Sequence, residues 1–300
     1  MRVLVFPIFA ALTVVGAAAH DASTATSRLP PIVVFVHGRG LLGQDTAALR
    51  REWKRDLDSS LALVGMPRLR DENVRLAWYA DVLDPESDSL CATAALNDAD
   101  SLSFGDLARG LLGFLASAVP KDESLEMRGV MSDLVYAIDA SKRCAAERRV
   151  GSVIEAAARE NRPVVVVAYS LGSLVAYGYL HSRPPSAKTS TRLRVVTLGS
   201  PLGVPAIRQM VFGDNVNTLS MPAAVSGWEN LYDPNDLFSG PVEGILVGGI
   251  VKDRALRALP LDEAHFISRY LQDRATGAAV MRALCEVAPS NEAATACAVP

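Results

Sequence analysis

The sequence lacks the short motifs that bind catalytic metals and nucleotides. It contains no H-E-x-x-H pattern and no C-x-x-C pair, and its four histidines and four cysteines are not clustered. The glycines of Gly38-Arg39-Gly40 are not accompanied by the rest of a phosphate-binding loop, and no Lys-Ser or Lys-Thr pair opens the helix that follows. These absences argue against a metal enzyme and against a nucleotide enzyme, and we expect no cofactor.

An excess of charge of one sign is also missing. The chain has 30 Lys and Arg against 33 Asp and Glu, a formal net charge of -3. A surface that binds a polyanion needs a basic excess, so we expect no nucleic-acid partner. Half of the 300 residues are apolar, which is enough for one sizeable core, and we expect a single catalytic domain over residues 30–300.

The N-terminus holds a long apolar run of the kind that directs export. Arg2 precedes an almost wholly apolar stretch, and Ala17 and Ala19 form an A-x-A cleavage pattern before a polar segment. We expect a signal peptide over residues 1–19, cleaved near Ala19, and a flexible leader over residues 20–29. The protein would then be periplasmic or secreted. The alternative is an uncleaved membrane anchor, because the run approaches the lower length limit of a spanning helix.

The cysteines fit export. All four follow the proposed signal peptide, and two disulfides suit them better than free thiols in a reducing compartment. Four cysteines allow three pairings. We favour Cys91 with Cys144, which would tie down a long insertion, and Cys285 with Cys297, which would tie down the C-terminal tail.

Apolar β-prone runs alternate with helix-period segments along the chain. This order predicts an α/β fold with a mostly parallel central sheet flanked by helices. Residues 81–131 break the alternation and predict a mainly helical insertion over the sheet, either packed on the body or acting as an apolar lid. The predicted strands are 32–36, 74–80, 164–168, 193–198, 228–232 and one near 245–251, and the predicted helices are 44–64, 132–160, 171–180 and 266–285.

A buried strand that turns abruptly into a helix carries a serine at the corner. The run 164–168 leads to Ser170, and Ala168 and Gly172 supply the small residues that a strained strand-to-helix corner needs. This pattern predicts a nucleophile elbow with Ser170 as the nucleophile. The alternative is an ordinary serine at a helix N-terminus.

A serine nucleophile needs a neighbouring base. His20 lies in the leader, His37 follows the first strand, and His181 ends the helix that leads away from Ser170. His265 precedes the last helix, where the order serine, acid, histidine would place the base, and we predict that it is the general base.

The glycine-rich segment after the first strand predicts an oxyanion loop. Backbone N–H groups of Arg39 and of Leu171 would stabilise the charge of a tetrahedral intermediate. We interpret the His37 side chain as hydrogen-bonded to the backbone.

Five short segments together are similar to one known family. V-H-G-R-G, A-Y-S-L-G-S, L-G-S-P-L-G, Y-D-P-N-D and A-H-F, in this order, resemble the lipase-like, esterase-like branch of the α/β-hydrolase superfamily over roughly residues 31–285. The resemblance implies a Ser-His-Asp triad that cleaves small-molecule or lipid esters without a cofactor. An apolar lid would suit a lipid substrate and transient contact with a membrane or lipid surface. The same triad would serve a thioesterase, an amidase or an acyltransferase, and the other alternative is an inactive binding protein.

Two carboxylates compete for the third position of the triad. Asp233 follows a strand directly, but Pro234 and Asn235 make it a typical turn opener. Asp236 lies beyond that turn and resembles the acid position of the family. We predict that Asp236 orients His265, with Asp233 as the alternative.

Overall fold

The computed structural model describes residues 30–84, 91, 135–137, 139–182, 193–213, 216–287 and 297. The predicted signal peptide (1–19), the leader (20–29) and most of the predicted insertion (81–131) lie outside the described residues. Among the helices within these ranges, none has the length and apolarity to cross a membrane.

The described residues form eight strands: β1 (Ile32–Val36), β2 (Val74–Ala77), β3 (Val164–Tyr169), β4 (Leu193–Leu198), β5 (Leu219–Ser220), β6 (Val225–Tyr232), β7 (Leu246–Val247) and β8 (Val251–Ala255). Six of them form a parallel central sheet, in the order β2-β1-β3-β4-β6-β8. The two short parallel strands β5 and β7 pair with each other outside this sheet.

Helices cover both faces of the sheet. They are α1 (Thr46–Ala62), α2 (Ala140–Arg159), α3 (Leu171–Ser182), α4 (Pro205–Phe212), α5 (Ile267–Gln272) and α6 (Arg274–Val287). In β1, Val34 packs in one apolar cluster with residues of α2 and α3, and Phe35 packs in a second cluster with residues of α1 and α6. The predicted class, α/β with a mostly parallel sheet flanked by helices, is confirmed.

The chain changes direction across the sheet at β1. It leaves β1 for β2 on one side and returns to β3 on the other, and Val36 pairs with Ala168 near the ends of β1 and β3. The carboxyl ends of two strands at such a switch point form the crevice where α/β proteins bind ligands. The segments that begin at His37 and Ser170 therefore leave the sheet side by side.

The predicted helix over 266–285 is two helices. Asp273 has an extended backbone and its carboxylate accepts the N–H of Ala275 at 2.7 Å, so it ends α5 and caps α6. The break lets α6 pack closely on α1, where a Cβ on Gly277 would lie 2.2 Å from the carbonyl oxygen of Ser60. Helical periodicity continues across Asp273, so the sequence pattern did not reveal the break.

The predicted strand near 245–251 is also divided. Gly248 has a φ of 88°, which interrupts the extended backbone between β7 and β8. β7 pairs with β5, whereas β8 becomes the edge strand beside β6.

Both favoured disulfides are present. Cys91 is bonded to Cys144 of α2, with Cα atoms 5.9 Å apart, and Cys285 of α6 is bonded to Cys297, with Cα atoms 5.6 Å apart. All four cysteines are paired. Disulfides form and persist in oxidising compartments, so the two bonds indicate an exported environment.

Candidate active site

Ser170 sits at the corner between β3 and α3 in a strained backbone conformation. Its φ is 50°, a left-handed value that is uncommon for a residue other than glycine. Its N–H donates to the carbonyl oxygen of Leu198 at 3.0 Å, which ties the corner to the end of β4. A Cβ on Gly172 would lie 2.3 Å from the carbonyl oxygen of His37, so only glycine allows α3 to approach β1 this closely.

His265 reaches Ser170 from the loop between β8 and α5. Its Nε2 lies 2.9 Å from the Ser170 Oγ. The rings of Tyr169 and Phe238 flank the imidazole, with centroids 5.2 Å and 5.1 Å away, and the Tyr169 hydroxyl donates to the His265 carbonyl oxygen. These contacts hold the imidazole in place beside the serine hydroxyl.

Asp236 contacts the other imidazole nitrogen. Its Oδ2 lies 2.7 Å from His265 Nδ1 and accepts the Tyr270 hydroxyl at 2.7 Å, while Oδ1 accepts the Phe238 N–H at 2.9 Å. Burial raises the pKa of Asp236, but the hydrogen bonds from His265, Tyr270 and the Phe238 N–H outweigh burial and lower it below the ordinary value. The ionised carboxylate can only accept, so His265 Nδ1 carries the proton and Nε2 is free to accept one from Ser170.

Asp233 has a different position. Its Oδ1 accepts the N–H of Asn235 at 2.8 Å and its Oδ2 accepts the N–H of Leu259 at 2.9 Å. The carboxylate therefore closes its own turn and ties it to the loop that leads to His265. Of the two competing carboxylates, Asp236 is the one in contact with the imidazole.

Arg39 and Leu171, the predicted oxyanion donors, line one pocket together with Ser170. The loop backbone lies against the serine, because a Cβ on Gly38 would be 3.2 Å from the Ser170 Cβ. The Arg39 guanidinium carbon lies 4.5 Å from the centroid of the Phe238 ring.

His37 is fully buried beneath this loop and is held by the backbone, as interpreted from the sequence. Its Nδ1 lies 2.6 Å from the Gly38 carbonyl oxygen, and its Nε2 accepts the N–H of Tyr79 at 3.0 Å. Burial lowers the pKa of His37 to about 4, although the hydrogen bond to Gly38 opposes the shift. A neutral imidazole that donates from Nδ1 and accepts at Nε2 fixes the conformation of the loop.

The remaining histidines do not compete with His265 in the described part of the chain. His181 lies in the last turn of α3, about 16 Å along the helix axis from Ser170 at the usual rise per residue. His20 lies outside the described residues.

An apolar pocket opens beside Ser170 between α3 and α4. The empty space there, including open solvent at the mouth, is about 460 Å³. Arg208 anchors α4 by donating to the carbonyl oxygens of Leu202 at 2.7 Å and Val216 at 2.9 Å. The apolar walls are formed by Leu171, Leu174, Pro201, Ile207, Met210 and Val211.

Sequence reasoning missed Tyr270 and the wall that α4 contributes. Tyr270 reads as an ordinary core aromatic of a helix, and no motif marks it. Met210 and Ile207 likewise carry no signal beyond an apolar helix face.

No group of three or more His, Cys, Asp or Glu side chains within the described residues is placed to hold a metal ion. Comparison with known proteins adds no identification: no family model matches the chain, and no curated protein matches it.

Proposed function

We propose that this protein is an exported serine hydrolase of the α/β-hydrolase superfamily that cleaves carboxylic esters. The observation that carries the proposal is the continuous chain of contacts from Ser170 Oγ to His265 Nε2, at 2.9 Å, and from His265 Nδ1 to Asp236 Oδ2, at 2.7 Å. A serine at a strained corner, a base within hydrogen-bond reach and an acid that orients the base together make an activated nucleophile.

The reaction follows from this arrangement. His265 takes the hydroxyl proton as Ser170 Oγ attacks the ester carbonyl carbon, and backbone N–H groups of Leu171 and Arg39 stabilise the oxyanion. When the intermediate collapses, His265 gives the proton to the leaving alcohol and an acyl-enzyme remains. Water, deprotonated by His265, then releases the acid and restores Ser170. Asp236 keeps the proton of Nδ1 in place and stabilises the imidazolium.

The pocket beside Ser170 indicates the kind of acyl group. Apart from Arg39 and Ser170, its lining is apolar, so an apolar acyl chain would be desolvated there. The ester substrate would place this chain between α3 and α4 and its alcohol toward the mouth.

Met210→Trp is expected to shorten the preferred acyl chain. The larger ring would fill the pocket, and each methylene excluded from an apolar site loses about 0.8 kcal/mol of burial. We expect kcat/KM for p-nitrophenyl octanoate to fall about 10-fold to 100-fold relative to p-nitrophenyl acetate.

Gln209→Trp is the matched control, because Gln209 lies next to Met210 on α4 but is exposed. It should leave the ratio of the two esters unchanged. If Met210→Trp and Gln209→Trp have the same ratio of kcat/KM for the two esters, the acyl chain does not bind beside Met210.

A fluorophosphonate probe tests the proposed class. The probe should label the wild-type protein, and peptide mapping should find the adduct on Ser170, since phosphonylation requires an activated serine. A folded protein that resists labelling would instead be a binding protein on this scaffold.

Export is expected to remove residues 1–19 and to leave no free thiols. Intact-mass measurement of the protein recovered after export should give an N-terminus near His20. An alkylating agent should add no label before reduction and four labels after it, because all four cysteines are paired. Retention of residues 1–19 would favour the membrane anchor.

A further inference from the structure

Tyr270 brings a second hydrogen-bond donor to the oxygen that holds the imidazole. It lies on α5, five residues after His265, and its hydroxyl contacts the loop that carries Asp236. The Tyr270 hydroxyl and His265 Nδ1 each lie 2.7 Å from the same atom, Asp236 Oδ2. The side chain of Asp236 is fully buried, so protein groups replace the water that would otherwise solvate this oxygen.

The direction of the Tyr270 hydrogen bond follows from its neighbours. Its hydroxyl oxygen accepts the N–H of Asp233 at 3.0 Å, and Ser239 Oγ lies 3.3 Å away. The single hydroxyl proton is therefore directed to the Asp236 carboxylate, which can only accept. Burial, together with the negative charge of Asp236, raises the pKa of the Tyr270 phenol, so the phenol remains a donor throughout the neutral range.

The surrounding backbone is shaped around this contact. Gly199, at the end of β4, has a φ of 58°, and a Cβ there would lie 3.2 Å from the Tyr270 ring and 3.3 Å from Asp236 Oδ2. A larger residue would therefore press on the phenol and the carboxylate at once. Tyr270 is itself 1% exposed, which leaves its ring little freedom to move.

We propose that Tyr270 is a positioning residue of the hydrolase site, which holds Asp236 Oδ2 toward His265 Nδ1 and disperses the negative charge of that carboxylate. This inference rests on the proposed function. Without the phenol, the carboxylate would keep only the Phe238 N–H and the imidazole as donors, so it could rotate away from His265. Its negative charge would also be less dispersed, and it would stabilise an imidazolium more strongly.

Tyr270→Phe removes the hydroxyl and keeps the ring. Because a hydrogen bond to a buried charge is lost, we expect the second-order rate constant of fluorophosphonate labelling, and kcat for p-nitrophenyl acetate, to fall about 10-fold to 100-fold. The KM should change little, because the phenol does not line the pocket. The acid limb of the pH profile of kcat should move to higher pH, because the variant favours the imidazolium form of His265.

The matched control is Tyr177→Phe. Tyr177 is equally buried, and its hydroxyl donates to the carbonyl oxygen of Ser220 at 3.1 Å, outside the contacts of Ser170, His265 and Asp236. Both variants should lower the thermal midpoint, but only Tyr270→Phe should move the pH profile.

A fluorinated tyrosine at position 270 gives a test in the opposite direction. Its more acidic phenol donates more strongly to Asp236 than tyrosine does, so the acid limb should move to lower pH while the site stays assembled. This variant keeps the hydroxyl, so it tests the role of the hydrogen bond from Tyr270 to Asp236 even if Tyr270→Phe does not fold.

The outcomes separate the two proposals. Wild-type protein that is not labelled at Ser170 overturns the proposed function itself. Labelled wild type, together with a Tyr270→Phe variant of unchanged rate and pH profile, leaves the function intact and reduces Tyr270 to a packing residue.

Discussion

Ser170→Ala is expected to abolish ester hydrolysis and probe labelling while the protein remains folded. Loss of the nucleophile from a working triad lowers kcat by about six orders of magnitude, and the residual rate comes from the oxyanion donors and substrate binding. The hydroxyl of Ser170 contacts His265, whereas the corner itself is held by backbone hydrogen bonds to Leu198 and Ser173. Alanine keeps those backbone bonds, so the circular dichroism spectrum should match the wild type.

Ser60→Ala is a useful comparison. Ser60 is also a buried serine, but it lies on α1 and its hydroxyl donates to the Leu57 carbonyl oxygen at 2.9 Å. The substitution should cost about 1 kcal/mol of stability and leave labelling intact. Turnover by Ser170→Ala at the wild-type rate would remove Ser170 from the mechanism.

Asp236→Asn is expected to lower kcat by about four orders of magnitude, as for a triad histidine held in the wrong tautomer. Three donors converge on the Asp236 carboxylate, from His265, Tyr270 and the Phe238 N–H. An asparagine offers one acceptor oxygen and one donor nitrogen, so it cannot satisfy all three. If the amide nitrogen faces His265, Nδ1 must give up its proton and Nε2 can no longer act as the base.

Asp233→Asn separates chemistry from stability. The Asp233 oxygens accept backbone N–H groups of Asn235 and Leu259, so the variant should lose about 1–3 kcal/mol of unfolding free energy. Its kcat should stay within about 10-fold of the wild type. Kinetics with the opposite ranking, measured at saturating p-nitrophenyl ester, would transfer the role of the acid to Asp233.

Local sequence patterns located the strands that position Ser170. The predicted bounds of β1 and β4 agree with the structure, and β3 extends one residue further. These strands are buried on both faces, so they consist of continuous β-branched runs bounded by turn residues, which is a strong signal. The edge strand β8 carries Lys252, Asp253 and Arg254 and is largely exposed, and its bounds were not predicted.

The sequence narrowed the predicted acid to Asp233 or Asp236 and favoured Asp236, but it could not place either carboxylate. Their distance from His265 depends on how the loops after β6 and β8 fold against each other. That folding is decided by contacts distant in sequence, such as the bond from the Asp233 carboxylate to the Leu259 N–H. The contact between Asp236 and His265 was therefore a prediction of the sequence that only the tertiary structure could show.

The sequence by itself determined the α/β class, located the serine at the strand-to-helix corner and the histidine before the predicted helix over 266–285, and limited the disulfides to three possible pairings. Each of these follows from local periodicity, from steric limits at a turn or from a small number of alternatives. The tertiary structure alone decided that Asp236 meets His265, that Tyr270 shares the same carboxylate oxygen and that α4 walls an apolar pocket. Hydrogen bonds and pocket walls form between segments far apart in the chain, and their geometry depends on the packing of the whole domain, which local patterns do not contain.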